Sequence, residues 1–252
     1  MKTRWMGWGP GVAASLLLLA GCGVEDPEPQ CVVARAVSDG SIGSFATVYT
    51  LLPGQNPDQQ CAQLKPEALG LQKYYSEDAN APDTVGVRSS RLGKLVTVDF
   101  KDRPDLDPSH TPYSVGALSS EGPGADHFCD VPQLSPTRLE VPATDTLPAQ
   151  SFRYEWSNLR IYNTPGIPGT QFKADLSYTE NGCTATYQAK GIWPVVSCAT
   201  AGKPDETKCD PYADYSVGRL RGSGINPVFP VTCDPVALIC VLTGDVPSDE
   251  TP

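Results

Sequence analysis

The clearest pattern in the chain is a period of two. Phe172, Ala174, Leu176 and Tyr178 alternate with Lys173, Asp175, Ser177 and Thr179; after Asn181-Gly182 the alternation resumes as Cys183, Ala185, Tyr187 and Ala189 against Thr184, Thr186, Gln188 and Lys190. Alternation of this kind marks a strand with one buried face, and Asn-Gly supplies the two positive-φ positions of a tight hairpin turn. Placing Asn181-Gly182 as a two-residue loop sets Tyr178 opposite Ala185, Leu176 opposite Tyr187 and Ala174 opposite Ala189, so the apolar faces coincide; a one-residue slip would separate them. The same register puts Lys173 opposite Lys190, a mildly unfavourable pair.

Upstream, Phe152, Tyr154 and Trp156 alternate with Arg153 and Glu155, and the apolar phase then shifts to Leu159 and Ile161, which predicts a bulge near Ser157-Asn158. Further strands are predicted at Phe45–Leu52, Leu69–Tyr75, Thr84–Arg88, Leu95–Phe100, Tyr113–Leu118, Ile192–Val196 and Val236–Leu242. No segment shows a long, capped helical period. Short strands broken by proline (25 residues) and glycine (23 residues) predict a mainly β fold of antiparallel, sandwich-like sheets, rich in loops. Tyr113-Ser-Val-Gly-Ala-Leu118 recurs as Tyr215-Ser-Val-Gly-Arg-Leu220, which raises the question of two related modules.

The first residues are of a different kind. Lys2 and Arg4 precede a short apolar run, Val12 to Ala20, which ends at Gly21-Cys22. This is the layout of a secretory signal, and the run is too short to span a bilayer, which takes roughly 20 apolar residues. Leu19-Ala20-Gly21-Cys22 resembles the lipobox of bacterial lipoproteins. The resemblance implies a diacylglycerol thioether on Cys22, cleavage before it, and acylation of the freed amine by palmitate or a similar chain. One chain alone holds weakly and two or three hold firmly, at about 0.8 kcal/mol per buried methylene. Gly23 to Gln30 is acidic and proline-containing and reads as a tether. Lipoprotein sorting retains proteins at the inner membrane when aspartate follows the cysteine; with Gly23 there, the resemblance implies the outer membrane. The proline-rich, cysteine-bridged body behind the lipobox is similar in style to outer-membrane lipoproteins of myxobacteria.

Setting Cys22 aside leaves Cys31, Cys61, Cys129, Cys183, Cys198, Cys209, Cys233 and Cys240, an even set in an oxidising compartment. They are predicted to form disulfides, with 105 pairings open to sequence alone. Val141 to Ala149 is proline-rich and divides the body. The expected organisation is a signal peptide at 1–21, anchor and tether at 22–30, an N-terminal β half at 31–142, a C-terminal β half at 143–246 and a tail at 247–252. Three cysteines precede the division and five follow it, so complete pairing requires at least one bridge between the halves.

The formal charge of −10 becomes two units more negative when Lys2 and Arg4 leave with the signal. Such a body has no basic surplus to release counterions and is not expected to bind nucleic acid. No nucleophile elbow, zinc-protease helix motif, phosphate-binding loop or dinucleotide fingerprint occurs, and there are only two histidines, His110 and His127. His127 stands two residues before Cys129, but a bridged cysteine is no nucleophile. Asp99, Asp102, Asp105 and Asp107 lack the ligand spacing of a calcium loop and read as a solvated segment. Neither metal nor cofactor is expected. Trp156, Trp193 and the tyrosines are candidates for a carbohydrate groove or for core. The reading is a non-enzymatic envelope lipoprotein with a surface, binding or structural role, held to the membrane by its lipid and serving an unidentified protein or glycan. An exported hydrolase is the alternative; a solute-binding import component would need a larger α/β body.

Overall fold

A computed structural model describes residues 28–34, 44–96, 111–143, 145 and 148–248. Cys22 and the rest of the predicted lipobox, the aspartate-rich segment with His110, and the end of the predicted tail lie outside the described residues. The first half contributes β1 (Ser44–Leu51), β2 (Glu67–Tyr74), β3 (Thr84–Ser89), a single helical turn α1 (Ser90–Lys94), β4 (Ser114–Ala117), β5 (Phe128–Gln133) and β6 (Thr137–Val141). The second half adds three long strands, β7 (Gln150–Asn163), β8 (Pro168–Glu180) and β9 (Cys183–Ile192).

These nine strands form one antiparallel sheet in the order β4-β3-β2-β1-β9-β8-β7. The far edge of β7 is shared, its first part pairing with β6 and its second with β5. The sheet curls until its two edges meet. Thr111 and Arg138 exchange backbone bonds of 3.0 Å, Ser135 N–H donates to Val115 O (2.8 Å) and Ser119 N–H to Asp130 O (2.9 Å). Closure of this kind removes the exposed edges that would otherwise recruit another strand. The sandwich-like opposition of two apolar faces is thus made by one sheet rolled into a barrel-like body. The halves on either side of residue 143 are not separate sheets, because β1 pairs with β9 from Ala46↔Ile192 to Leu51↔Tyr187.

The central hairpin has the expected register. Tyr178↔Ala185, Leu176↔Tyr187 and Ala174↔Ala189 are partners, and Asn181 (φ 51°) and Gly182 (φ 80°) make the turn. The bulge is also present: the β7–β8 register shifts between Ser157 and Arg160, with Asn158 at φ 49°. The inward face is aromatic. Tyr154 is the cross-strand partner of Tyr178, their ring centroids 4.9 Å apart in edge-to-face contact, and Trp156 is buried opposite Leu176.

The outer face of the barrel is covered in part by the C-terminal segment, which carries two minimal hairpins, β10–β11 (Ala199–Thr200, Lys203–Pro204) and β12–β13 (Val231–Cys233, Cys240–Leu242). Ile225, Phe229, Val241 and Leu242 pack there against Ala46, Phe128, Tyr162 and Ile192. This cover explains the opposed lysines. Lys173 and Lys190 do face each other, but Lys173 Nζ donates to Val246 O (3.1 Å) and Lys190 Nζ to Gly244 O (2.6 Å).

Four local expectations are corrected. Leu95–Phe100 does not begin as a strand: Ser89 caps α1 by accepting from Leu92 N–H, and helical backbone runs through residue 96, with 97–100 outside the described residues. Ile192–Val196 stops at Ile192, where the Trp193-Pro194 peptide is cis. Val236–Leu242 is a strand only from Cys240, because the Asp234 carboxylate takes the Val236 and Ala237 N–H groups into a turn. The two copies of the hexapeptide motif differ in conformation. The first is β4, whereas Asp214 caps the second into a 3-10 turn at Tyr215–Val217 that ends in left-handed Gly218. Strands β5 and β6 were not anticipated, although Thr137, Leu139 and Val141 alternate with Arg138 and Glu140.

Candidate functional site

One end of the barrel gathers polar side chains from strand termini far apart in sequence. Glu67 opens β2, Ser89 closes β3, Arg91 stands on α1, Tyr178 and Glu180 close β8, and Tyr49 comes from β1. Glu67 accepts from the Tyr49 hydroxyl (2.8 Å), the Ser89 hydroxyl (2.8 Å), the Ser90 hydroxyl (3.1 Å) and Arg91 N–H (3.0 Å). Glu180 accepts from Arg91 Nη2 (2.8 Å), Gln60 Nε2 (3.0 Å) and the Tyr178 hydroxyl (2.6 Å), which in turn accepts from Arg91 Nη1 (2.8 Å). Tyr154 is sealed beneath this network, with the Ser89 hydroxyl beside its own.

The electrostatics follow from burial. Desolvation, with Glu67 nearby, raises the pKa of Tyr49 well above the ordinary phenol value; burial also raises Tyr154 and Tyr178, with Glu67 and Glu180 respectively adding to the effect. Burial opposes the charge on Arg91, yet the Tyr178 and Tyr154 hydroxyls and the Glu180 carboxylate outweigh it and its pKa is raised. The phenols are therefore neutral donors at physiological pH, and the guanidinium is a fixed cation between them. Glu67 and Glu180 each accept several of these bonds, so the network acts as a polar stopper on the barrel, while the Tyr154 hydroxyl beneath it is buried without a hydrogen-bond partner among the described residues. Above it lies an open cleft of about 640 Å³ lined by Gln60, Gln63, Lys65, Glu67, Arg91 and Lys94, among others.

A second concavity, about 340 Å³, lies on the outer face of β2, β3 and β4. Tyr74 and Tyr113, 45% and 51% exposed, flank it, Gly70 and Gly86 give it a shallow floor, and Gln72 and Arg88 supply polar groups. The Tyr74 ring lies over Gly86, where a Cβ would meet Tyr74 Cε2 at 2.8 Å. The carbohydrate reading placed on Trp156 is corrected: that ring is core, and Trp193 is only partly buried against the same core. The exposed aromatics at this concavity are Tyr74 of β2 and Tyr113, the residue before β4, and a sequence cannot tell which face of a strand is covered.

The eight cysteines after Cys22 form four bridges, Cys31–Cys129, Cys61–Cys183, Cys198–Cys233 and Cys209–Cys240, with Cα separations of 5.6 to 5.8 Å. Cys61–Cys183 joins the two halves. Cys198, Cys209 and Cys240 place their sulfurs within 4.8 Å of one another, but all three belong to adjacent disulfides rather than to a thiolate site. His127, at φ 63°, sits beside a bridged Cys129 and packs edge-on against Tyr162. Among the described residues no helix is long and apolar enough to cross a membrane.

Residues 28–34, which include the end of the predicted tether, meet the barrel at the end opposite the polar network. Cys31 N–H donates to Glu121 O, Lys73 Nζ donates to Cys31 O (2.8 Å), and Asn163 Nδ2 donates to Gln30 O (2.8 Å). Lys73 is near the end of β2 and Glu67 at its start, about 20 Å apart at the rise of an extended strand.

The MlpA family model matches residues 43–194, which span the nine-stranded barrel from just before β1 to just after β9. Similarity extends beyond it: the chain is 32% identical over 240 residues to the Myxococcus xanthus protein named "Putative lipoprotein MlpA", covering 92% of each chain. No solved structure matches. With the barrel matched by the family model and nearly the whole chain matched by this relative, the chain belongs to the MlpA family, a lipoprotein of myxobacterial type.

Proposed function

We propose that the chain is anchored through a diacylglycerol thioether on Cys22 to the outer membrane, and that it serves there without catalysis, as a rigid body for binding or structural contact. The observation that carries the reading is the Cys31–Cys129 bridge, which fixes the first residue after the predicted tether to one end of the barrel. Cys31 stands nine positions after Cys22, a reach of about 30 Å when extended, so the body stays close to the lipid surface. Four disulfides suit an exported, oxidising compartment, and in the polar network Glu180 is engaged by the Arg91 guanidinium and Glu67 by hydroxyls and the Arg91 N–H. The test is envelope fractionation of wild type and Cys22→Ala with labelled palmitate and external protease. Label and outer-membrane recovery should be lost in the variant; unchanged labelling and attachment refute the anchor.

The groove between Tyr74 and Tyr113 favours a glycan as the bound partner. Exposed rings on rigid strands offer flat apolar faces for sugar rings, with Gln72 and Arg88 placed to donate hydrogen bonds. Titration with envelope polysaccharide fragments should give binding that Tyr113→Ala weakens; equal affinity in the variant removes the groove from consideration.

A further inference from the structure

The C-terminal segment holds a loop whose composition is at odds with its exposure. Tyr212, Tyr215, Val217 and Leu220 lie within nine residues and are 64%, 76%, 72% and 74% exposed. Large apolar side chains are seldom displayed together at such levels on a surface that meets only water.

The display is held open by a built frame. Asp214 and Arg219 exchange backbone bonds of 2.9 Å, and the Asp214 carboxylate accepts from Ser216 N–H and the Ser216 hydroxyl. The Arg219 guanidinium pairs with Asp210 (2.5 Å) and donates to Thr207 O (2.7 Å) and Tyr212 O (3.3 Å). At the base, Ser223 N–H donates to Asp210 O, and Gly222 lies so close to the Pro211 carbonyl that a Cβ has no room. The polar side chains of the loop thus bond inward while the apolar ones face out.

The position of the base identifies what meets the loop. Asn226, a few residues on, donates to Gly166 O (3.1 Å) in the turn between β7 and β8. The strand ends on either side of that turn hold the end of the tether and the residues after it: Asn163 binds Gln30 O, Ala34 N–H donates to Gly169 O, and Gly169 lies against the Val32 backbone. Loop base and tether exit share one end of the barrel.

We propose that residues 212–220 are a second membrane contact, seating Tyr212, Tyr215, Val217 and Leu220 in the lipid surface that holds Cys22. The proposal rests on the anchor reading for its membrane. Tyrosine suits the headgroup level and the aliphatic residues the acyl boundary, and a second contact adds to an acyl anchor as independent signals do.

The test uses the full lipidated chain in phosphatidylethanolamine/phosphatidylglycerol vesicles, with photoreactive p-benzoylphenylalanine at Val217 or, as control, at exposed Asp58, beyond β1 at the opposite end. Palmitate labelling at Cys22 is read in parallel. The expected result is a lipid adduct at 217 about tenfold above that at 58, lowered severalfold by Tyr215→Ser with Leu220→Ser. Equal yields at the two positions, or a copy-to-copy adduct at 217, overturn the contact. A labelled chain without the lipid adduct overturns the contact alone; an unlabelled chain that still forms it overturns the anchor alone.

Discussion

Cys61 and Cys183 are bonded across 122 residues of chain, at the end of the barrel where Glu67, Arg91 and Glu180 meet. The bridge fastens the 3-10 turn at Gln60–Ala62 to the first residue of β9, and Tyr187 adds a hydrogen bond to Cys61 O (2.6 Å). A cut placed in the proline-rich stretch between β6 and β7 should therefore leave one band on an unreduced denaturing gel and two after reduction. Two bands without reductant would remove the bridge. Replacing both cysteines by alanine should cost about 2–5 kcal/mol, read as a fall in the unfolding midpoint.

Glu67 is the acceptor on which Tyr49 and Ser89 depend. Glu67→Ala leaves these buried hydroxyls without their acceptor, and the expected cost is about 2–3 kcal/mol in denaturant unfolding. Glu67→Gln keeps an acceptor and should cost less. Equal stability of all three proteins would show that the network contributes nothing.

The raised phenol pKa values set an alkaline limit. Burial holds the pKa values of Tyr49, Tyr154 and Tyr178 above the ordinary phenol value of 10.0 in the folded state. Below that pH both folded and unfolded phenols are neutral and the contribution to stability is complete. Above it the unfolded chain releases protons that the folded one keeps, so stability falls as pH rises from 10 toward the folded values. Absorbance at the phenolate band should show these three ionising only together with loss of circular dichroism. Ionisation of every tyrosine near the ordinary value in a folded protein contradicts the burial argument.

Gly191 lies opposite both Phe172 and Thr47, and a Cβ there would come within 2.4 Å of the Phe172 ring. Phe172 is fully buried and edge-on to Phe45, so it has little room to move. Gly191→Ala should destabilise by about 1–3 kcal/mol through overpacking, whereas Gly182→Ala meets open space and is penalised through its positive φ alone. A larger loss for Gly182→Ala than for Gly191→Ala in thermal unfolding would reverse this account.

Local chemistry explains which elements were legible. The β8–β9 register could be read because side-chain period and turn geometry are properties of adjacent residues, and both pointed to one pairing. Val236–Leu242 and the second hexapeptide motif misled because Asp234 and Asp214 capture nearby N–H groups, a competition that alternation does not report. The polar network was not legible. Glu67, Arg91 and Glu180 come from β2, α1 and β8, and their meeting depends on the way the sheet curls.

By itself, the sequence determined a short apolar run behind two cations and before Gly21-Cys22, an even set of eight further cysteines, an antiparallel hairpin with its bulged neighbour, and an acidic body. Each is set by composition or by neighbours a few positions apart. Tertiary structure alone decided that one sheet closes on itself, which cysteines pair, and which outer face is covered, with Lys173 and Lys190 satisfied by carbonyls from the C-terminal segment. It also decided which aromatics remain in water. Those outcomes rest on contacts between residues tens to more than a hundred positions apart, where the free energy of closing the sheet and burying its faces selects among arrangements that local preference leaves equivalent.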